Sequence, residues 1–497
     1  MGRRIPAGQP AGPAISHGDG GVRFVAFSPD MPTDAFEEAR ALQQAGDLAG
    51  AASLYVAVAD ADPSHFRALH NLGVVLEAQG ERSGAESAYE RSLAANPDSA
   101  WTHYNLARLR HLGGESAAAE RGYRRALELD DELTEAYFNL GRLLLERGDA
   151  GEAEIALLET VRRTPGAAGA QSYLGDALFA QRRTREALEA YRRTVELEPG
   201  SAVAQFDVGK SFEYLKRFDE AIDCYRRSVV LEPNSGAARE VLARALDAAG
   251  RHDEAVSSVH EWLSLAPGNA VASHLLASLG AVEAPERASD GYVRETFDRF
   301  AADFDTTLAR LEYRAPELIT AIVALSLGEP AAALDVLDAG CGTGLCAPLL
   351  RPWARRLEGV DLSGAMLERA RRRGGYDALH EAELTAFLRG YTWSWDVIAS
   401  ADTLCYFGAL EPVLRAAANA LRAGGTLAFT LERSAAGGTF ALQPHGRYAH
   451  DEGYVRAALD ACGYEVTLAH GALRREGGRD VEGLIVAART AVTAGPA

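Results

Sequence analysis

Residues 334–345 read Leu-Asp-Val-Leu-Asp-Ala-Gly-Cys-Gly-Thr-Gly-Leu, an apolar run that ends in alternating glycines. Glycine in such a turn lets the backbone approach a ligand with no Cβ in the way. Two ligand classes use a strand, a glycine turn and a helix like this. A dinucleotide site carries G-x-G-x-x-G and an acid about 20 residues further on. Here Gly340, Gly342 and Gly344 follow G-x-G-x-G, and Leu345 takes the place of the third dinucleotide glycine. The acid is present as Asp361, in Gly359-Val360-Asp361-Leu362-Ser363, where a carboxylate can accept both hydroxyls of a ribose. The acid does not separate the two classes. The glycine spacing does, and it argues against a dehydrogenase.

A second cluster is Gln443-Pro444-His445-Gly446-Arg447-Tyr448-Ala449-His450, expected as a loop after the fifth strand. Loops at the carboxyl ends of parallel strands carry function in α/β architectures. His445 and His450 are candidate general bases, because imidazole titrates near neutrality. Arg447 is a candidate clamp for an anionic acceptor, with Tyr448 beside it. The plainer role for His450 is to cap the helix that begins near Asp451. Arg314, in Tyr313-Arg314-Ala315-Pro316, would pair with a carboxylate of ligand or acceptor, or else form a surface ion pair. Val293, Phe297, Phe300 and Phe304 have 4-3-4 spacing, one face of an amphipathic helix. That face is either plain packing or a lid over the ligand, with Tyr292 and Phe297 as its contacts.

These residues need a frame. From residues 280–290 onward, strand-like apolar runs alternate with helical stretches, which predicts βαβ units and a parallel sheet. Strands are expected at 335–339, 357–361, 377–382, 395–400, 425–431, 464–470 and 482–488, and helices at 346–353, 364–373, 383–390, 409–423 and 452–462.

The first half has a different ruler. Alanine recurs in steps of 34 at Ala51, Ala85, Ala119, Ala153, Ala187, Ala221 and Ala255. A small residue recurs at Gly73, Ala107, Gly141, Gly175, Gly209, Ala243 and Ala277, and a mostly aromatic column at Tyr55, Tyr89, Tyr123, Leu157, Tyr191, Tyr225 and Val259. The fourth column is Pro63, Pro97, Asp131, Pro165, Pro199, Pro233 and Pro267. Small residues suit the crossing of two helices, an aromatic the space between neighbouring pairs, and proline the end of a helix. Asp131 replaces one stop-proline, so a looser turn is expected there. A capping helix near 269–279 should close the stack.

The chain has 497 residues and a formal net charge of −19, which argues against nucleic acid or an anionic membrane as partner. No apolar run reaches the 18 or more residues of a membrane span. Cys224, Cys341, Cys346, Cys405 and Cys462 are odd in number and form no CxxC, so free thiols in a reducing, cytoplasmic setting are expected and a metal site is not. Residues 1–31, rich in Gly, Pro and Ala, read as a disordered leader. Met31 is an alternative start.

The columns at 34-residue spacing resemble the tetratricopeptide repeat family. The order of 337–344, then Asp361-Leu362-Ser363 with Met366-Leu367, then Leu421-Arg422-Ala423-Gly424-Gly425, resembles the class I S-adenosylmethionine-dependent methyltransferases over about 290–490. Together the two halves are similar to bacterial methyltransferases with N-terminal tetratricopeptide repeats, and residues 292–301 and 446–450 add to the match. The resemblance implies an α-helical solenoid followed by an α/β Rossmann-like domain with a seven-stranded, mostly parallel sheet. The implied layout is a leader at 1–31, repeats at 32–280, linker and lid helices at 281–330, the methyltransferase domain at 331–490 and a tail at 491–497.

S-adenosylmethionine is the implied cofactor and S-adenosylhomocysteine its product. Asp338, Gly340, Gly342 and Gly344 would surround its methionine and ribose part. Asp361 would bind the ribose, while Leu362 and Met366 would lie near the adenine. The acid that holds the adenine amino group in the family is here Glu381 or Glu383, around Ala382. Ser400, Ala401 and Asp402 would end the fourth strand beside the transferable methyl group, and Asp402 and Tyr406 are candidate acceptor contacts. The expected function is methyl transfer to an O or N nucleophile on a small, peptide or carrier-bound acceptor. The repeats would bind a protein or peptide partner in their groove, or serve only to build a homodimer. The alternative is a binding scaffold whose cofactor domain is catalytically silent.

Overall fold

The computed structural model describes residues 32–434 and 437–491, so the expected leader at 1–31 lies outside the described residues, as does nearly all of the tail. The chain divides into two compact units between Ser235 and Gly236.

The first unit is built of helices of 13 or 14 residues in successive pairs, from α1 (Pro32–Gln44) and α2 (Leu48–Ala61), through α3 (Phe66–Ala78) and α4 (Arg82–Ala95), to α11 (Ala202–Tyr214) and α12 (Phe218–Leu231). The periodic alanines of the second helices are fully buried. The glycine and aromatic columns meet directly. A Cβ on Gly73 would lie 2.5 Å from the Tyr89 ring, on Gly175 2.5 Å from Tyr191 and on Gly209 2.7 Å from Tyr225. The aromatic therefore fills the crossing inside a pair, not the space between pairs, and at these three crossings the glycine leaves room for it. Helices end two residues before each stop position, at Asp131 as at the prolines. The following turn bond is longer there: Leu133 N–H to Asp130 O is 3.4 Å, against 3.0 Å for the matching bonds at His65, Ala167 and Ser201.

The second unit begins with three further repeat-type helices, α13 (Gly236–Ala248), α14 (His252–Leu265) and α15 (Ala270–Ser278). Asn269 caps α15 by accepting from Ala272 N–H. Next come α16 (Asp290–Phe300), α17 (Phe304–Arg310) and α18 (Ala315–Leu327), then β1 (Leu334–Ala339), α19 (Ala347–Leu350), β2 (Ala354–Asp361), α20 (Gly364–Arg373), β3 (Ala378–Glu381), α21 (Leu384–Arg389) and β4 (Trp395–Ser400). The chain continues through α22 (Glu411–Ala420), β5 (Leu421–Arg433), β6 (Phe440–Leu442), β7 (Tyr448–His450), α23 (Glu452–Asp460), β8 (Tyr464–Glu476) and β9 (Arg479–Thr490).

The seven expected strands are present and run in the order β3-β2-β1-β4-β5-β9-β8, with β9 antiparallel to both β5 and β8 and the other neighbours parallel. The structure corrects the expected 443–450 loop: β6 and β7 form a hairpin, and β7 pairs with the end of β5 at Glu432 and Arg433. It also lengthens β8 to Glu476 and shortens the helix expected at 346–353 to α19.

Successive strand residues alternate between two apolar layers. Leu337, Ile398, Leu427 and Phe429 pack on α21, α22 and α23, whereas Val336, Val397, Ala428 and Ile485 pack on α18 and α19. A sheet covered on both faces leaves the carboxyl ends of its strands as the open edge, and the site lies there. Among the described residues no helix is long and apolar enough to cross a membrane.

Candidate functional site

β1 ends in the turn Gly340–Gly344, held by two bonds from Gly340 and Cys341 N–H to Val360 O, at 2.8 and 3.0 Å. Gly340 has φ +80° and a Cβ there would lie 2.0 Å from Thr403 Oγ1, so no other residue fits. At Gly342, φ +53°, a Cβ would meet only Phe304, at 3.8 Å, because this position borders a cavity. Gly342 N–H donates to Asp361 Oδ2 and Ser363 N–H to Asp361 Oδ1, each at 2.9 Å. Burial raises the Asp361 pKa against these bonds. Among the described residues no cation pairs with it. A half-buried carboxylate in that position has lone pairs left for donors from a ligand. Behind the turn, Tyr376 O–H donates to Asp338 Oδ2 at 2.6 Å, and burial pushes Asp338 up to about 7.

The sheet order sets the two ends of the cavity. Leu362, Ala382, Glu383 and Leu384, after β2 and β3, line one side of the glycine turn. Asp402, Tyr406, Arg447, Arg474 and Glu476, after β4 or from the β6–β7 hairpin and β8, line the other. Asp402 stands in a left-handed backbone, φ +51°, the kind of strain that persists only where surroundings enforce it. The enforcement is reciprocal: Asp402 N–H donates to Thr430 Oγ1, and that hydroxyl donates to Asp402 Oδ1, both at 2.9 Å.

Asp402 Oδ2 accepts from Arg474 Nη1 at 2.8 Å. Arg474 also reaches Glu476 Oε1 at 2.6 Å and Glu432 Oε1. Arg447 binds the same two oxygens, Nε to Glu432 and Nη2 to Glu476. Burial raises the Asp402 pKa even so, whereas Glu432 ends well below the usual carboxylate range because His445, Arg447 and Arg474 outweigh its burial.

The third wall is a pair of straps. α16 is tied to the start of α20 by Ser363 Oγ–H, which donates to Asp298 Oδ1 at 2.5 Å. α17 is tied to the glycine turn by Thr343 Oγ1–H, which donates to Asp305, with Arg373 on the same carboxylate. Val293, Phe297, Phe304 and Leu308 of these helices face the cavity. The Phe297 ring lies 5.4 Å from that of Tyr406.

The cavity brings together Phe297, Gly340, Gly342, Asp361, Leu362, Ala382, Ala401, Asp402, Tyr406 and Arg447 of the expected site residues. Others stand elsewhere. Tyr292 turns away and stacks on His274. Gly344 and Met366 lie beneath the turn, where a Gly344 Cβ would meet Tyr376 at 3.1 Å and Met366 is buried. Ser400 Oγ–H donates to Ala339 O at 2.9 Å, tying β4 to β1. Glu381 is exposed; Glu383 lines the cavity, but its carboxylate caps α21 by accepting from Thr385 and Ala386 N–H.

Neither histidine is placed as a base. His445 accepts from Arg447 N–H on Nδ1 at 3.3 Å, which leaves Nε2 to donate to Glu432 at 3.2 Å. His450 is buried, bonds Gly408 O at 3.1 Å and is pushed by burial to about 4. Asp451, not His450, caps α23. Tyr448 O–H donates to Pro285 O at 2.6 Å. Arg314 is exposed, and Arg447 already lies on Glu432 and Glu476. Sequence reasoning missed Arg474 and Glu476, because the apolar run predicts a strand that ends at 470. The Gly477-Gly478 pair was the available sign of a longer hairpin. Tyr376 and Asp305 carried no motif, and Asp298, inside the matched stretch 292–301, was not singled out.

Comparison with known proteins finds the repeats and the catalytic-type domain in the same order along the chain. The family model described as a methyltransferase domain matches residues 337–429, from β1 to β5. Models described as tetratricopeptide repeats match residues 36–100, 88–121, 138–202, 173–229 and 206–270. The human methyltransferase-like protein 27 is 41% identical over 108 residues, which is 20% of this chain and 44% of that protein. The chain thus spans less than half the length of that relative. Among solved structures, the C-terminal part of a repeat-containing protein from Cytophaga hutchinsonii is 16% identical with TM-score 0.42, over 48% of this chain and 98% of its own. PilF of Pseudomonas aeruginosa is 20% identical with TM-score 0.37, over 43% of this chain and 96% of its own. The chain carries tetratricopeptide repeats in its first half and a methyltransferase domain in its second.

Proposed function

We propose that the protein is a class I methyltransferase that takes S-adenosylmethionine in the cavity above β1 and transfers its methyl group to an O or N nucleophile. The observation that carries this is the half-buried Asp361 carboxylate, bonded to Gly342 and Ser363 N–H, which lines a cavity beside the glycine turn. When bound, the cofactor supplies an activated methyl on a sulfonium, so the chain need not form a covalent intermediate.

The protein's work is then placement. Asp361 accepts the ribose hydroxyls. Leu362, Ala382 and Leu384 cover the base. Gly340 and Gly342 leave room for the methionine part. Phe297, Phe304 and Tyr406 exclude water, and aromatic faces suit a cation. Holding donor and nucleophile in contact supplies most of the rate. The repeats recruit the partner or the carrier of the acceptor. The five cysteines, all free, fit a reducing cytoplasm.

The test is incubation of the protein with methyl-labelled S-adenosylmethionine and fractionated cell extract. Label moves into an acceptor fraction on this reading. Cofactor binding without transfer to any fraction would instead support a silent scaffold.

A further inference from the structure

Accepting the cavity as a methyl-transfer site, we infer that the acceptor is an amine and not a carboxylate or phosphate. Three arginines line the cavity, and each already faces carboxylate. Arg287 binds Asp290 at 2.6 Å. Arg447 binds Glu432 and Glu476, both at 2.5 Å. Arg474 binds Asp402 at 2.8 Å, Glu476 at 2.6 Å and Glu432. The Arg287–Asp290 pair is exposed, but an anionic acceptor at Arg447 or Arg474 would have to take the arginine from Asp402, Glu432 or Glu476 and strand a shielded carboxylate, which is unfavourable.

The acceptor end therefore holds more carboxyl groups than arginines. Asp402, Glu432 and Glu476 face two arginines, with only His445, on Glu432, as a further partner among the described residues. Both arginines use Glu476 Oε1; Oε2 accepts no bond among the described residues. Glu476 lines the cavity, and its side chain is 30% exposed. Its pKa is lowered by Arg447 and Arg474 despite burial, so it stays a carboxylate near neutrality and acts as a charge partner rather than a base. Aromatic rings stand on the same cavity: Phe297, Tyr313, Tyr406 and Phe407. A carboxylate beside aromatic faces selects N–H donors and cations over anions.

The balance of the step follows. The acceptor sheds one ammonium proton to solvent at the exposed Glu476 edge before reaction. Its nitrogen lone pair then forms the N–C bond to the methyl group as the C–S bond breaks. That electron pair stays on sulfur, which leaves as a neutral thioether, and the nitrogen carries the positive charge until it loses a proton to water.

The experiment uses the full chain saturated with S-adenosylhomocysteine and a matched pair of probes, 2-phenylethylamine and 3-phenylpropanoate, titrated calorimetrically. The amine is expected to bind at least about tenfold more tightly than the acid, and Glu476→Gln to remove about tenfold of amine affinity. Labelled transfer from S-adenosylmethionine should follow the same order. Equal affinity for the two probes, tighter binding of the acid, or transfer to the acid alone overturns the inference. Failure of S-adenosylhomocysteine itself to bind would instead defeat the methyl-transfer reading. The wild-type comparison stands even if Glu476→Gln does not fold.

Discussion

His274 and Tyr292 lie ring on ring, with centroids 3.7 Å apart and planes 20° apart. The stack ties α15, a repeat-type helix, to α16, a cavity strap. His274 Nε2–H also donates to Gly446 O at 2.9 Å, and Arg244 of α13 donates to Pro444 O at 2.8 Å. The tip of the β6–β7 hairpin is thus held by α13 and α15, and the next residue, Arg447, reaches the cavity. Repeat-type helices in this unit help to shape the acceptor end.

Gly446 tests that clamp. Its φ is +90°, and a Cβ would lie 2.6 Å from Tyr292 Oη. Gly446→Ala should cost about 1–3 kcal/mol from strain and contact together. Tyr292→Phe in the same chain should recover part of the loss, because the clashing oxygen is gone. Urea midpoints of the two variants and their combination measure it, and independent, additive effects would contradict the contact.

In the helical unit, Gly175→Ala places a methyl 2.5 Å from the Tyr191 ring, whereas Gly200 has open space around its Cβ position. The first substitution should destabilise by about 1–3 kcal/mol. Gly200→Ala should be neutral or stabilise by up to about 1 kcal/mol through the unfolded chain. Helical circular dichroism during urea titration separates the two.

Asp338 gives a pH dependence. Burial raises its pKa to about 7, so between about 4 and 7 the folded chain holds a proton that the unfolded chain has lost. Stability contributed at this site therefore falls as pH rises through that window, with a limiting slope of about 1.4 kcal/mol per pH unit. His450, lowered to about 4, works the other way: below about 6.5 the unfolded chain gains its proton first, so stability falls as pH drops. The readout is therefore the difference between wild type and Asp338→Asn, measured as unfolding free energy from about pH 4.5 to 7.5. That difference should move in favour of Asp338→Asn as pH rises. A constant difference would show that Asp338 does not bind the proton.

The sheet was legible because its strands are apolar runs broken by turn residues, and the glycine turn and Asp361 because close backbone approach and a carboxylate at a strand tip are written in single residues. The repeat columns were legible for the same reason, since each position has one steric task. What was not legible was orientation. Tyr292 and Phe297 lie on one short helix, yet only Phe297 faces the cavity, since His274 draws Tyr292 the other way. His445 and His450 look alike in sequence, but the fold puts both His445 ring nitrogens on Arg447 and Glu432 and buries His450 with Nε2 on Gly408 O, contacts that no local pattern announces. Arg474 and Glu476 meet Asp402 and Glu432 only through pairing of long strands, which no local pattern announces.

The most direct measurement is calorimetric titration of the full chain, and of Asp361→Asn, with S-adenosylmethionine and S-adenosylhomocysteine. Wild type should release heat and bind one equivalent of either. Asp361→Asn should lose about 1.5–3 kcal/mol of binding free energy, roughly a ten- to hundredfold weaker affinity. Absence of binding by wild type, or equal affinity in the variant, would contradict the account.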